Sequence, residues 1–244
     1  MCEMFAVSSE KEIRLNSLLT EFFSHGNKHP NGWGLAVFYG NAVSLEKEPV
    51  ESDTSSYLKD RLSHQIYACN AIAHIRQATV GKMSYENSHP FIFRDYSNRA
   101  WTLAHNGTIF DGTKTDPYAA VQEGSTDSER VLYYLVDLVN QKRAALGRDL
   151  TAEERFALVD GLIGSLAQNN KLNLTIYDGE LLYVHTNFAN SLYMKETQGA
   201  AVFATVPLDD GEWQPMPFMT PLAYRHGKRV FTGTFHGFEY KLAA

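Results

Sequence analysis

The segment Met1-Cys2-Glu3-Met4-Phe5-Ala6-Val7 sets a sulfur nucleophile at the second position, directly ahead of a strand-like run. Cys is small enough for an initiator Met before it to be removed. Cys2 then carries a thiol and a free α-amino group on the same few atoms. The amine has a reference pKa of about 7.7–8.0, against about 8.5 for the thiol, so it can take the thiol proton near neutral pH. One residue would supply both nucleophile and base. A Met-Cys start also arises by chance, so Cys2 needs a substrate site elsewhere in the chain to mean anything.

Outward from this segment, strand-like runs dominate. They are Glu3–Val7, Trp33–Tyr39, Ala42–Glu48, Tyr67–Ile75, Ala100–His105, Asn173–Tyr177, Leu181–Thr186, Ser191–Met194, Ala201–Thr205 and Arg229–Thr232. Gly40-Asn41 and Asp178-Gly179 are hairpin turns between neighbouring runs. Helical spacing is rarer. Ile13, Leu15, Leu18, Leu19, Phe22 and Phe23 predict a helix over Glu10–Phe23. Thr126-x-x-Glu129 reads as a capping box that opens Asp127–Val139. Thr151-x-x-Glu154 opens a second helix, with Phe156, Val159, Leu162, Ile163 and Leu166 on one face. Many strands with a few long amphipathic helices predict an α+β layered fold. No repeat, low-complexity tract or linker interrupts the chain, which predicts a single domain over residues 1–244.

Hydrophobic residues make up 44% and charged residues 20%, which supports a filled core and excludes a disordered chain. The net charge of −6 comes without a basic stripe. Neither nucleic acid nor an anionic membrane surface is therefore expected as a partner. The first residues lack a basic start followed by an apolar run, and no stretch approaches the ~18 apolar residues of a membrane span. The expected location is cytoplasmic. The two cysteines, Cys2 and Cys69, allow at most one disulfide, which a reducing cytosol disfavours. Cys69 lies in an apolar run and reads as a buried core thiol. The histidines are scattered without ligand spacing, so no metal site is expected.

Several polar segments interrupt this apolar pattern. His74-Ile75-Arg76-Gln77-Ala78-Thr79-Val80-Gly81 leaves a buried strand carrying an arginine, which can grip a carboxylate with two parallel bonds or merely decorate a strand end. In Glu86-Asn87-Ser88-His89-Pro90-Phe91, His89 is either a general base or a packed ring. In Leu103-Ala104-His105-Asn106-Gly107, Asn-Gly supplies either the two donors of an oxyanion hole or a hairpin turn. In Gly124-Ser125-Thr126-Asp127-Ser128-Glu129, Asp127 either complements the helix dipole or holds a substrate ammonium. Asn31-Gly32-Trp33-Gly34 reads as a structural tight turn with close backbone approach.

Taken in order, Cys2, the NGWG, HIRQATVG, NSHPF and HNG segments, and STDSE resemble the class II glutamine amidotransferases, which are N-terminal nucleophile hydrolases. The resemblance is closest to their short stand-alone members and runs from Cys2 to about Glu129. It implies a four-layer αββα sandwich and no cofactor. It also implies roles: Cys2 as nucleophile, Asn106 and Gly107 as the oxyanion pair, Arg76 on the substrate α-carboxylate and Asp127 on the α-amino group, with Thr79 a further substrate-binding position. Gln77, His89 and His105 flank these positions as lesser candidates. Gln77 stands where the wider family often has Trp in a loop that closes over glutamine, and Val80 where it often has His. The implied partners are L-glutamine or another γ-glutamyl compound, and a separate ammonia-accepting synthase; a homo-oligomer stays open. Three readings compete: glutamine hydrolysis, hydrolysis of another γ-glutamyl compound, and a non-catalytic binding subunit that keeps the fold.

Overall fold

A computed structural model describes residues 2–40, 42–78 and 81–242. In chain order the elements are β1 (Glu3–Arg14), α1 (Asn16–Ser24), β2 (Trp33–Tyr39), β3 (Ala42–Glu48), α2 (Ser56–Ser63), β4 (Tyr67–Ile75), β5 (Phe91–Arg94) and β6 (Ala100–Thr108). They continue as α3 (Asp127–Leu146), α4 (Ala152–Ala167), β7 (Lys171–Tyr177), β8 (Leu182–His185), β9 (Tyr193–Thr197), β10 (Ala200–Ala204), β11 (Gln214–Pro215), β12 (Leu222–Arg225) and β13 (Lys228–Thr232).

Two antiparallel sheets result. One has the order β11-β9-β10-β1-β4-β2-β3, the other β13-β12-β8-β7-β6-β5. Strand periodicity sorts the side chains into three cores. On β1, Phe5 and Val7 point outward into a core with Leu19 and Phe22 of α1 and Leu58 of α2. Met4 and Ala6, one position out of phase, point inward and meet Ala104, Leu182 and Val184 of the second sheet. On that sheet's outer face Trp101, Leu103, Leu174 and Ile176 pack on Leu132 and Leu135 of α3 and Phe156 and Ile163 of α4. The stack is therefore αββα, the four-layer α+β sandwich that the resemblance implies. Each fully buried Phe or Leu in these layers contributes roughly 1.5–3 kcal/mol over its exposed state.

Several elements differ from the sequence reading. The expected helix over Glu10–Phe23 starts at Asn16, because β1 runs on to Arg14. After an irregularity in register, Ile13 and Arg14 pair with Ala68 and Tyr67 of β4, and this cross-strand pairing outweighs local helical spacing. The strand expected to stop at His105 continues to Thr108, so Asn106-Gly107 is not a hairpin turn: it pairs with Asn173 and Leu172 of β7. The helix opened by Thr126 extends to Leu146 and ends on Gly147 in the left-handed conformation. Gly179, at φ 88, makes the expected β7–β8 turn. The β2–β3 pair also forms, while Asn41 of its expected turn lies outside the described residues. Cys69 is half-buried rather than buried, and both cysteines are free thiols.

Candidate active site

The site gathers at one end of the two sheets, where β1 begins and β4 and β6 end. Cys2 immediately precedes β1, the central strand of its sheet. The Gln77 N–H donates to Cys2 Sγ at 3.3 Å, and the Gln77 carbonyl accepts the S–H at 3.3 Å. Burial pushes the thiol up, while the Gln77 backbone bond and the nearby Arg76 and Lys171 cations pull it down.

Arg76 leaves β4 directly beside this thiol. The NGWG segment fixes its backbone: Arg76 N–H donates to the Gly32 carbonyl at 2.7 Å, and Asn31 N–H to the Arg76 carbonyl at 3.0 Å. Asn31 Oδ1 also accepts the Ala78 N–H at 2.8 Å. Gly34 must lack a side chain, because a Cβ there would lie 2.0 Å from the His89 carbonyl oxygen. The tight-turn reading of this segment therefore holds. The Arg76 guanidinium is buried and donates to the Lys82 carbonyl at 3.0 Å and the Gly81 carbonyl at 3.3 Å. Burial lowers its pKa from the ordinary value, and Cys2 and Asp127 both oppose that shift. The structure thus brings Cys2, Arg76 and Asp127 into one electrostatic neighbourhood.

Asn106 and Gly107 come from β6. Asn106 is buried, and its Nδ2 has no hydrogen-bond partner among the described residues. An unmet buried amide donor costs on the order of 1–3 kcal/mol, so its presence is a reason to look for a ligand acceptor. Gly107 is required by β7, since a Cβ there would lie 1.9 Å from the Lys171 carbonyl oxygen.

Asp127 opens α3, behind the Thr126 cap, whose hydroxyl accepts the Glu129 N–H at 3.2 Å. Its Oδ2 accepts the Ile109 N–H at 2.7 Å, which ties the start of α3 to the end of β6. His105 works in the same joint. Its ring is buried, with Nδ1 2.9 Å from Ser128 Oγ and Nε2 3.0 Å from the Lys171 carbonyl. His89 is the packed ring of the two alternatives: it lies against His74 at 4.2 Å and Phe91 at 4.5 Å between centroids, and burial holds its pKa well below the ordinary value. Thr79 lies outside the described residues.

Three residues join the site that the sequence reading passed over. Asn87 is buried and clips two loops together. Its Nδ2 donates to the Lys82 carbonyl at 2.9 Å, the same carbonyl that Arg76 holds, and its Oδ1 accepts the Ser125 N–H at 2.7 Å. Glu129 accepts the Glu123 and Gly124 N–H groups at 2.8 and 2.9 Å. Lys171 is buried, its ammonium 4.5 Å from the Phe188 ring centroid, and burial pulls its pKa down to about 8 against the pull of Cys2. Asn87 sat in a quoted motif, but a loop-to-loop partner 38 residues away leaves no period in a sequence. Among the described residues, no three His, Cys, Asp or Glu side chains are placed to hold a metal ion. None of the described helices is long and apolar enough to cross a membrane.

Residues 1–196 match the family described as Glutamine amidotransferases class-II. The chain belongs to this family. The Escherichia coli protein YafJ is 30% identical over 194 residues, covering 77% of this chain and 74% of YafJ. The protein MJ1515 of Methanocaldococcus jannaschii is 26% identical over 215 residues, or 87% of this chain, and the chain spans only 58% of that relative's length. The crystal structure of a predicted glutamine amidotransferase from Pseudomonas aeruginosa superposes with a TM-score of 0.68 at 23% identity, covering 94% of this chain and all of the other. That likeness fixes the fold.

Proposed function

We propose that this chain hydrolyses the side-chain amide of L-glutamine through Cys2, as one domain over residues 1–244 in the cytoplasm. The reading is supported by the charges of Cys2 and Asp127 acting together on Arg76, and by the buried Asn106 amide, whose Nδ2 has no partner among the described residues. After Met1 is removed, the freed α-amino group of Cys2 takes the thiol proton. The thiolate attacks the γ-carbonyl carbon. Asn106 Nδ2 and the Gly107 N–H stabilise the oxyanion, an effect worth about 3–4 kcal/mol per donor. The C–N bond breaks and ammonia leaves with the proton held by the amine. Water then hydrolyses the thioester to glutamate and regenerates the thiol.

Arg76 binds the α-carboxylate and Asp127 the α-ammonium, and Thr79 is kept as a substrate-binding candidate. An amino acid blocked at either end would leave one of these charges unmatched, which is the basis of discrimination. His105 positions Asp127 by bracing Ser128, and Gln77 holds the sulfur through its backbone. A separate synthase is the acceptor for the ammonia in this reading.

Glutamate release from glutamine by protein whose intact mass shows loss of Met1 tests the proposal. Labelling by a glutamine-analogue electrophile should map to Cys2. Hydrolysis that persists in Cys2→Ala would defeat the nucleophile assignment.

A further inference from the structure

We infer that Lys171 is a positioning residue for the Cys2 reaction: its ammonium, held on the inner face of β7, keeps the sulfur ionised while substrate is bound. The inference rests on the glutamine-hydrolysis reading above and adds a residue to it.

Strand phase brings the two groups together. Met4 and Ala6 point into the space between the sheets. Cys2, two positions before Met4, shares their phase. On β7, Leu172, Leu174 and Ile176 point outward and Tyr177 inward. Lys171 therefore points inward, as Asn173 does. On β6, Ala104 points inward, which turns Asn106 the same way. Asn106 pairs with Asn173, two positions from Lys171. Cys2, Asn106 and Lys171 thus share the inter-sheet space at the site end of the sandwich. The Lys171 side chain is buried, with its ammonium 4.5 Å from the Phe188 ring centroid. Phe188 in turn walls a cleft of about 430 Å³ that Cys2 and Gln77 also line.

Charge then assigns the role. Arg76 and Lys171 are the side-chain cations that act on the sulfur. In the hydrolysis reading, the substrate α-carboxylate neutralises Arg76 on binding, before the sulfur attacks. A second cation is then needed to favour the thiolate, and Lys171 stands outside the clamp for the two ends of the amino acid. Burial pulls Lys171 down to about 8, so it is still an ammonium at neutral pH.

The other titratable groups nearby do not supply this charge. Burial brings His74 on β4 down to about 3 and also lowers His105 on β6, so both rings are neutral. Glu3 is engaged by His25 Nδ1 at 2.7 Å and lies 3.7 Å from His29 Nε2. Asp127 on α3 is an anion committed to the Ile109 N–H. Lys28 is exposed in the cleft wall, where water and salt screen it. The proton balance is unchanged: the thiol proton passes to the α-amino group of Cys2, and Lys171 neither gives nor takes one.

The test uses the full chain with Met1 removed. It reads the rate of Cys2 alkylation by iodoacetamide against pH, mapped by mass so that Cys69 is counted apart. Lys171→Met keeps a straight apolar stem against Phe188 and loses the charge. It should raise the midpoint of Cys2 alkylation by about one pH unit, because removing a nearby cation disfavours the thiolate. The acid limb of kcat for glutamine, which reports the substrate-bound enzyme, should move up with it. At pH 7 kcat should fall about tenfold, the gap closing as pH rises past both midpoints. Lys171→Arg keeps the charge, and Phe188→Leu removes the ring but not the charge. Both should leave the midpoint close to that of the parent. A midpoint unmoved in Lys171→Met, or raised as far by Lys171→Arg or Phe188→Leu, overturns the inference and leaves the hydrolysis reading standing. A midpoint that moves as expected in a protein releasing no glutamate from glutamine supports the hold of Lys171 on the sulfur and defeats the hydrolysis reading.

Discussion

The sequence contains two Thr-x-x-Glu helix starts, and the structure uses them differently. At α4, Thr151 and Glu154 close on each other: Thr151 Oγ1 accepts the Glu154 N–H at 3.2 Å, and Glu154 accepts the Thr151 N–H at 2.9 Å. At α3, Thr126 makes its half of the exchange, but Glu129 turns away to the Glu123 and Gly124 N–H groups. The expected box is therefore only half formed at the site helix. Its glutamate is committed instead to the loop that carries Ser125 toward Asn87, and through Asn87 to the carbonyl held by Arg76. The scaffold helix is self-contained, whereas the site helix is joined to its surroundings. A capping motif predicts that a helix starts, but not which neighbour receives its acceptor.

Substitutions can break this contrast at several strengths. The largest expected effect is on the scaffold side. Arg155 of α4 is buried and donates to Asp178 at 2.6 Å, to Glu180 at 2.5 Å and to the Leu150 carbonyl at 2.9 Å. Arg155→Ala leaves the buried Asp178 carboxylate with neutral donors only, the Glu180 and Leu181 N–H groups and the Tyr183 hydroxyl, apart from the more distant Arg99, and should cost about 3–5 kcal/mol in denaturant unfolding, with kcat/KM per folded molecule retained.

Acid should weaken both regions together. Burial pulls His74 on β4 and His185 on β8 down to about 3. Their folded pKa values lie below the unfolded reference of about 6.5, so between these limits the unfolded chain binds more protons. The stabilisation is complete above about pH 6.5 and is lost as pH falls toward 3, at about 2 kcal/mol per histidine by pH 5. Chemical denaturation at pH 7 and pH 5 measures it, and equal stability at the two would sink this account.

On the site side, Asp127→Asn keeps an acceptor for the Ile109 N–H but removes the charge. It should lower kcat/KM for glutamine about 100-fold, or roughly 3 kcal/mol, with little change in Tm. The smallest and most direct comparison is between the two glutamates. Glu129→Ala leaves two N–H groups without their acceptor and should cost about 1–3 kcal/mol together with a several-fold loss of kcat/KM. Glu154→Ala should lower Tm by less and leave kcat/KM alone. Equal kinetic effects from the pair would show that Glu129 is no more than a cap.

Much of this molecule was legible because it is periodic or ordered along the chain. Trp33–Tyr39 and Tyr67–Ile75 are strands within the bounds their apolar runs give. Cys2, Arg76, Asn106, Gly107 and Asp127 were named from motif order, and the structure brings the first, second and last together. The failures are nonlocal. Residues 10–14 have helical spacing but are captured by β4, and β5 and β12 are too short, at four residues each, to raise a period above the background. Asn87, Glu129 and Lys171 act on partners that only the folded chain supplies. Cys69 looked like core because its neighbours are apolar, yet its own position is half-buried.

The strand order carries one more consequence. Chain ends ordinarily fray, since few bonds oppose their motion. Here the segment after Cys2 pairs with β4 on one side and β10 on the other, at the centre of a seven-stranded sheet. The backbone that carries the thiol can therefore open only when the sheet itself opens. The thiol thus hangs from a backbone position one residue away from a strand paired on both sides.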